Sequence, residues 1–365
     1  MPAASGGHSL NDSRDTADRG RSGTVPSPPP GLSRAASAAF RLNARLEAAM
    51  PFLTPTGVIL GFLFPEIIVR LRPYIPWLFG LITLAGALRL KARDLGAAAA
   101  SPIPVLVFFA SAHVAMPVAA WAASRLFLPG DLDAAAGFVL LFSAPTAVAG
   151  FIWVSIFRGD EALALALILL DTLAAPFVMP FTVSTLLRTG IRLDGGAMAA
   201  SLAFMVVLPT VLGVALNEAS RGRIPQAIRP YLTPLSKLLL VLVIAANSAA
   251  VAPTVNFSQS RVWAIGAVGI GLTSGAFILG KALGLVPGIG PARRRGLVFS
   301  IGLRNISAVA TIAIAFFPEA AALPAILGMF FQQTLAAVFG RLLLGKPGNH
   351  KSNMINKIKP DGQNG

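Results

Sequence analysis

The sequence predicts an all-α integral membrane protein of ten transmembrane helices, built as two inverted five-helix repeats. Three observations carry that expectation. Of the 365 residues, 55% are hydrophobic and only 12% are charged, whereas a soluble domain carries about 25% charged residues. The apolar residues fall in blocks of about 20, the length that crosses about 30 Å of hydrocarbon. A lipid-exposed span must satisfy its own backbone polar groups, which makes these blocks helices. The fourth and ninth blocks hold corresponding places in the two halves, and both are interrupted.

The spans are expected near residues 51–69, 73–90, 102–125, 134–157, 161–184, 194–216, 231–250, 261–285, 296–316 and 319–342. They form one domain over residues 49–345, with a first repeat at about 51–184 and a second at about 194–342. The links at Arg70 to Arg72 and at Phe317–Pro318 are the shortest. Residues 1–48 are rich in Ser, Gly, Pro, Asp and Arg and hold no apolar run. That composition buries too little surface to offset the entropy of ordering, so the segment reads as a disordered tail. Within it, Ala35 to Leu46 is the one stretch able to form a short interfacial helix. The segment has no apolar middle of the kind a secretory signal needs. Residues 346–365 form a second polar tail.

Charge orients the bundle. The chain has 30 Lys and Arg against 15 Asp and Glu. With the N-terminus in the cytoplasm, 21 basic residues fall on the inner side. Six fall outside: Arg70, Arg72, Arg125, Arg188, Arg192 and Arg261. Lys237, Lys281 and Arg304 lie within spans or at their ends. An excess of basic residues marks cytoplasmic loops, so both termini are expected in the cytoplasm of a multi-pass plasma (inner) membrane protein. The same bias explains the net charge of +15 without nucleic acid, for which no motif is present.

Catalysis finds little support. Cys is absent, which excludes disulfides, thiolate metal sites and cysteine nucleophiles. The three His, at 8, 113 and 350, are scattered. No HExxH or paired-carboxylate motif occurs, so neither an enzyme, a metal centre nor a cofactor is expected.

The fourth span contains Ser143-Ala144-Pro145-Thr146-Ala147-Val148-Ala149-Gly150. Pro145 lacks a backbone donor and Gly150 favours helix weakly, so a break between them is expected. The ninth span contains Ser300-Ile301-Gly302-Leu303-Arg304-Asn305, a glycine and a polar cluster where an apolar middle is expected. Inverted repeats carry their binding site in discontinuous helices at corresponding positions. A half-helix that starts at mid-membrane aims free N–H groups and a positive dipole end into the cavity, which suits a carboxylate. Two kinks serving helix packing would give the same sequence pattern.

Ionisable groups near the bilayer centre need a partner or a water-filled cavity. His113 in the third span either meets a helix carbonyl or serves as a protonation site. Asp171 lies midway along the fifth span and Arg304 at the ninth-span interruption. They either pair to hold helices together or couple to substrate and ion, and contact with each other or with a charged ligand is expected. Asn305 can donate to substrate. Gln332 and Gln333 are read as bridges between helices. The candidate substrate-binding residues are therefore Pro145, Thr146, Gly150, Ser300, Arg304 and Asn305, and the ion-coupling residues His113, Asp171 and Arg304.

Several local patterns, in order along the chain, are familiar together. They are Pro73-Tyr74-Ile75-Pro76-Trp77-Leu78-Phe79-Gly80, Leu88-Arg89-Leu90-Lys91 with Asp94, Met116-Pro117, the Pro145 turn, Arg158-Gly159-Asp160, Ala175-Pro176, and Gly302 with Asn305. Through them the chain resembles the bile acid:sodium symporter family over residues 50–345. The resemblance implies a panel domain and a core domain, with the fourth and ninth helices crossing at the site. It also implies sodium-coupled uptake of an organic anion, bile-acid-like or another carboxylate.

The sodium part of that resemblance departs. The family's Ser-Asn pair in the fourth helix becomes Gly150-Phe151, and its fifth-helix hydroxyls become Ala164 and Ile168. Its ninth-helix Glu becomes Ser300, its ninth-helix Gln becomes Arg304, and its third-helix Gln becomes Ala112. These replacements remove nearly all side-chain oxygens and add a guanidinium. Ala164, Ile168 and Asp171 stand at i, i+4 and i+7, on one helix face, so Asp171 is expected to point into the emptied region beside Arg304. An Asp171–Arg304 pair would then replace bound sodium with a fixed positive charge. Transport would be sodium-independent, as proton coupling through Asp171 or His113, as uniport or as exchange. The partners expected are a small organic anion and the lipid bilayer. The competing reading is a receptor or scaffold that keeps the fold without transporting; a channel would show a continuous polar stripe, which is not evident.

Overall fold

The computed structural model describes residues 34–148, 150–187 and 194–345. Among these residues every regular element is helical, and the only bridge between extended backbones joins Thr146 and Arg304. The chain runs α1 (Arg34–Leu63), α2 (Pro65–Ile68), α3 (Ile75–Ala87), α4 (Asp94–Ala99), α5 (Pro102–Ala110), α6 (Met116–Phe127), α7 (Leu132–Ser143) and α8 (Gly150–Ile156). It continues through α9 (Glu161–Leu186), α10 (Gly195–Leu202), α11 (Leu208–Ala219), α12 (Arg223–Val251), α13 (Ser260–Leu283), α14 (Pro291–Gly302), α15 (Ile306–Phe316) and α16 (Leu323–Leu344).

Among the described residues, seven helical stretches are long and apolar enough to cross a membrane: Pro65–Ala87, Pro102–Phe127, Glu161–Leu186, Gly195–Ala219, Arg223–Thr254, Ser260–Leu283 and Glu319–Leu344. Phe52–Leu63, Leu132–Ser143 and Ile306–Phe316 are shorter apolar helices. Trp77, Leu126, Phe177, Phe181, Trp263 and Leu342 are exposed on the outside of the bundle. In water such surface would be a liability, whereas against lipid tails it is the expected finish.

Several helix ends differ from the sequence expectation, α12 starting at Arg223 rather than at 231 and α14 at Pro291 rather than at 296. Three differences change the elements themselves. Residues 34–48, placed in the N-terminal tail with Ala35 to Leu46 as the stretch able to form a short helix, are helical and form the first half of α1, continuous with the apolar segment that follows. Ala35, Ala36, Ala38, Ala39, Leu42 and Ala44 favour helix strongly, and Lys237 of α12 donates to Asn43 Oδ1 at 2.8 Å, docking this half. The Arg70–Arg72 link is not a loop but part of a 3-10 turn, Val69–Tyr74. The short α4 has no counterpart in the sequence expectation; the Lys91 N–H donates to Asp94 Oδ2 at its start. The remainder of the N-terminal tail, the C-terminal tail, Arg188 and Arg192 lie outside the described residues.

Two apolar helices change winding just before a proline. Ser111–Ala115 joins α5 to α6 as a π turn ahead of Pro117, and Ala203–Val207 joins α10 to α11 as another ahead of Pro209. A proline ring cannot donate to the carbonyl four residues back and clashes with it, so a wider turn relieves the helix. Elsewhere side chains start the helices. Asp131, Asp160 and Asp194 cap α7, α9 and α10 by accepting from the N–H groups of Ala134, Leu163 and Ala197. Small residues let helices approach. Gly61 of α1 faces Ala245 and Ser248 of α12 so closely that a side chain there would strike the α12 backbone.

Candidate functional site

The two broken helices meet at their breaks. After Ser143 the chain leaves α7 in an extended conformation at Ala144 and regains helix at Gly150. After Gly302 it extends at Leu303 and regains helix at Ile306. The extended pieces lie antiparallel: the Ala147 N–H donates to Leu303 O at 3.1 Å and the Asn305 N–H to Pro145 O at 2.9 Å. Thr146 and Arg304 therefore stand opposite each other as a non-hydrogen-bonded pair, and their own N–H groups point away from the shared seam. Buried backbone groups must still be satisfied. Two side chains do this. The Thr146 N–H donates to Asp171 Oδ2 at 2.7 Å, and the Arg304 N–H donates to Gln332 Oε1 at 3.2 Å. Gln332 Nε2 returns a bond to Arg304 O, also at 3.2 Å. The Thr146 hydroxyl donates to Ser300 O at 2.6 Å, closing the seam on α14.

Three ionisable side chains converge on that seam. Asp171 is fully buried, Arg304 is 1% exposed and His113 is 8% exposed. Asp171 Oδ1 lies 2.8 Å from His113 Nε2, and Asp171 Oδ2 lies 3.8 Å from Arg304 Nη1. The latter is an ion-pair separation, longer than a hydrogen bond. Arg304 instead donates through Nη1 to Ala144 O at 3.2 Å and through Nη2 to Ala112 O at 3.4 Å. Ala112 O is available because of the π turn. Its i+4 donor, Met116, bonds to Ser111 O, and its i+5 partner is Pro117, which has no N–H. The guanidinium thus fills the place of an absent backbone donor.

Each sequence-predicted residue has a place here. His113, Asp171, Thr146, Arg304, Pro145 and the Ser300 carbonyl belong to one network. Gly150 begins α8, its N–H bonded to Ala147 O at 2.8 Å, and its Cα faces Leu303. Asn305 caps α15, its Oδ1 accepting from the Ala308 N–H at 3.3 Å. His113 meets the Asp171 carboxylate rather than a helix carbonyl, because α9 brings that carboxylate within reach of the π turn. Gln332 and Gln333 both bridge helices, the second accepting from Trp153 Nε1 at 2.9 Å. Two features have no signal in the sequence: the backbone seam, and the use of Gln332 as a clamp on Arg304.

A helical bundle dressed for lipid, with two broken helices meeting around buried charges, is an architecture suited to a secondary membrane transporter. The chain belongs to the sodium bile acid symporter family. The model of that family, described as "Sodium Bile acid symporter family", matches residues 76–255. The chain is 36% identical over 302 residues to "Uncharacterized protein YbaS" of Bacillus subtilis (strain 168), covering 80% of this chain and 96% of that protein. It is 25% identical over 272 residues to "Uncharacterized sodium-dependent transporter YocS" of the same organism, covering 73% and 81% of the two chains. It is 22% identical over 291 residues to "Probable sodium/metabolite cotransporter BASS3, chloroplastic" of Arabidopsis thaliana, covering 76% and 64%. The protein is a transporter of a small molecule across a lipid membrane, not an enzyme.

Proposed function

We propose that the protein moves an organic anion, a carboxylate, across the plasma (inner) membrane without sodium. The single observation that carries this reading is the position of the Arg304 guanidinium, which donates to Ala112 O and Ala144 O and lies beside Asp171. A hard cation needs several oxygen ligands, and two of the oxygens beside the seam, Ala112 O and Ala144 O, are taken by the guanidinium. The residues therefore do not fit sodium. Ala112, Gly150, Phe151, Ala164, Ile168 and Ser300 supply no replacement carboxylate or amide. Arg304 serves as a built-in cation, with its charge fixed by the chain rather than supplied by solution. Nη1 and Nη2 are turned to protein carbonyls, so substrate recognition falls mainly to the surroundings of the breaks: Pro145, Thr146, Gly150, Ser300 and Asn305.

In this reading the three shorter apolar helices complete ten crossings, in two inverted repeats with α7–α8 and α14–α15 as the corresponding broken members. Both termini face the cytoplasm, as the distribution of Lys and Arg favours. The reading is tested by screening carboxylates for thermal stabilisation of the purified full-length protein in sodium-free potassium buffer. A ligand at a hundred times its dissociation constant stabilises the folded state by about 2.7 kcal/mol. Uptake of a stabilising carboxylate into sodium-free proteoliposomes would support transport. Stabilisation without uptake would favour a receptor that keeps the fold.

A further inference from the structure

We propose that His113 is the proton-binding site of the network, with Nδ1 as the atom that takes up the proton. The inference rests on the sodium-free transport proposed above and assigns the ion that takes sodium's part in coupling.

In this reading Asp171, which already accepts from the Thr146 N–H and faces Arg304, is the ionised partner and accepts at 2.8 Å from a hydrogen on His113 Nε2. A neutral imidazole then carries its lone pair on Nδ1. Among the described residues no donor reaches Nδ1, although the side chain is only 6% exposed. Arg304 Nε is the other buried atom of the network without a partner, but it is a donor, so Nδ1 is the open acceptor and the place for an arriving proton. Phe108 and Phe109 flank the ring, with centroids 6.2 Å and 5.3 Å away, so the proton is kept from bulk water on those sides.

The surrounding charges give the proton a consequence. The π turn that holds His113 packs against α5, α6, α7 and α9. Asp171 of α9 and Arg304 of the α14–α15 break are the charged groups of the network. Arg125, Asp133 and Glu161 belong to the same helices but stand at their ends. With His113 neutral, Arg304 and Asp171 cancel. Protonation makes the site net positive by one charge, which favours a carboxylate arriving near the breaks. The Asp171 carboxylate also holds the Thr146 N–H, so the charge on His113 bears directly on the seam between the two broken helices. One proton and one monocarboxylate would cross together, with no net charge moved.

Nitrogen-15 NMR of the full-length protein, labelled at histidine and held in detergent micelles, tests the assignment without any substrate. There are three histidines to resolve, and His113 is identified by the signal lost in His113→Gln. The expected result is an Nε2–H tautomer in the neutral ring, with the second hydrogen appearing on Nδ1 when the sample is acidified. In Asp171→Ala the tautomer preference should disappear. An Nδ1–H tautomer in the wild type, or an acidified sample in which Nδ1 stays bare while the fold is retained, would overturn the proposal. Neither sodium nor carboxylate enters this titration. Its failure would remove the proton site and leave sodium-free transport standing, and a sodium requirement would do the reverse.

Discussion

Thr146 and Arg304, opposite each other across the seam of the two broken helices, both reach Oδ2 of Asp171, the first through its backbone N–H at 2.7 Å and the second through Nη1 at 3.8 Å. One carboxylate on an unbroken helix therefore holds the backbone of one break and balances the charge of the other. Asp171 is the common element on which the geometry of the site depends.

Asp171→Asn keeps the shape and removes the charge. It leaves the Arg304 guanidinium buried beside a neutral amide, and breaking a buried pair by removing one partner costs about 3–5 kcal/mol. The thermal midpoint in detergent should fall strongly. Asp171→Asn combined with Arg304→Met should recover part of the loss, because the unbalanced charge is gone. A double variant no more stable than Asp171→Asn would show that the two charges are not coupled.

Gln332→Leu removes a clamp that satisfies both the N–H and the C=O of Arg304. A buried polar group left without its partner costs about 1–3 kcal/mol, and here there are two. Gln333→Leu frees only the Trp153 indole N–H. Equilibrium unfolding should place the first variant clearly below the second.

Gly302 closes α14 against Phe277, whose ring occupies the space a side chain at 302 would need. Gly302→Ala should destabilise the protein by about 1–3 kcal/mol through overpacking. Adding Phe277→Leu should recover much of this by making room, measured by the same unfolding assay.

Asp131 gives a pH dependence away from the membrane interior. Burial pushes its carboxyl up, but bonds from Arg261 and the Ala134 N–H, with the Arg261 charge, outweigh burial and hold it below the ordinary 3.8. The guanidinium grips both oxygens, Nη2 at 2.9 Å from Oδ1 and Nε on Oδ2. A lowered folded value means the carboxylate stabilises the fold above the ordinary value, and that contribution is lost as pH falls through the folded one. The stability gap between wild type and Asp131→Asn should be level at neutral pH and shrink progressively below about pH 4. A gap that widens with acid would contradict the pairing.

Much of the site is legible in the sequence because its signals are local. Pro145 announces the first break, and Gly302 with Arg304-Asn305 announces the second. Asp171 shares a helix face with Ala164 and Ile168, and all three are buried. What is not legible is long-range. Nothing near Gln332 says that its amide will pair with the backbone of Arg304, since a membrane glutamine can bridge to any neighbouring helix. The Ala112 carbonyl is an intermediate case: Met116-Pro117 signals a lost donor one turn earlier, but not that a guanidinium will arrive to replace it. The helix at Arg34–Leu63 divides at residue 48 in the sequence because its first half is too polar to span lipid, although its alanines favour helix.

The most direct measurement is the thermal midpoint of the purified full-length protein in NaCl against KCl at equal ionic strength. With Arg304 as the fixed cation, the midpoints should coincide at every salt concentration. A saturable increase specific to sodium would mean that a sodium ion binds the folded state, and would contradict the assignment of Arg304 to its place.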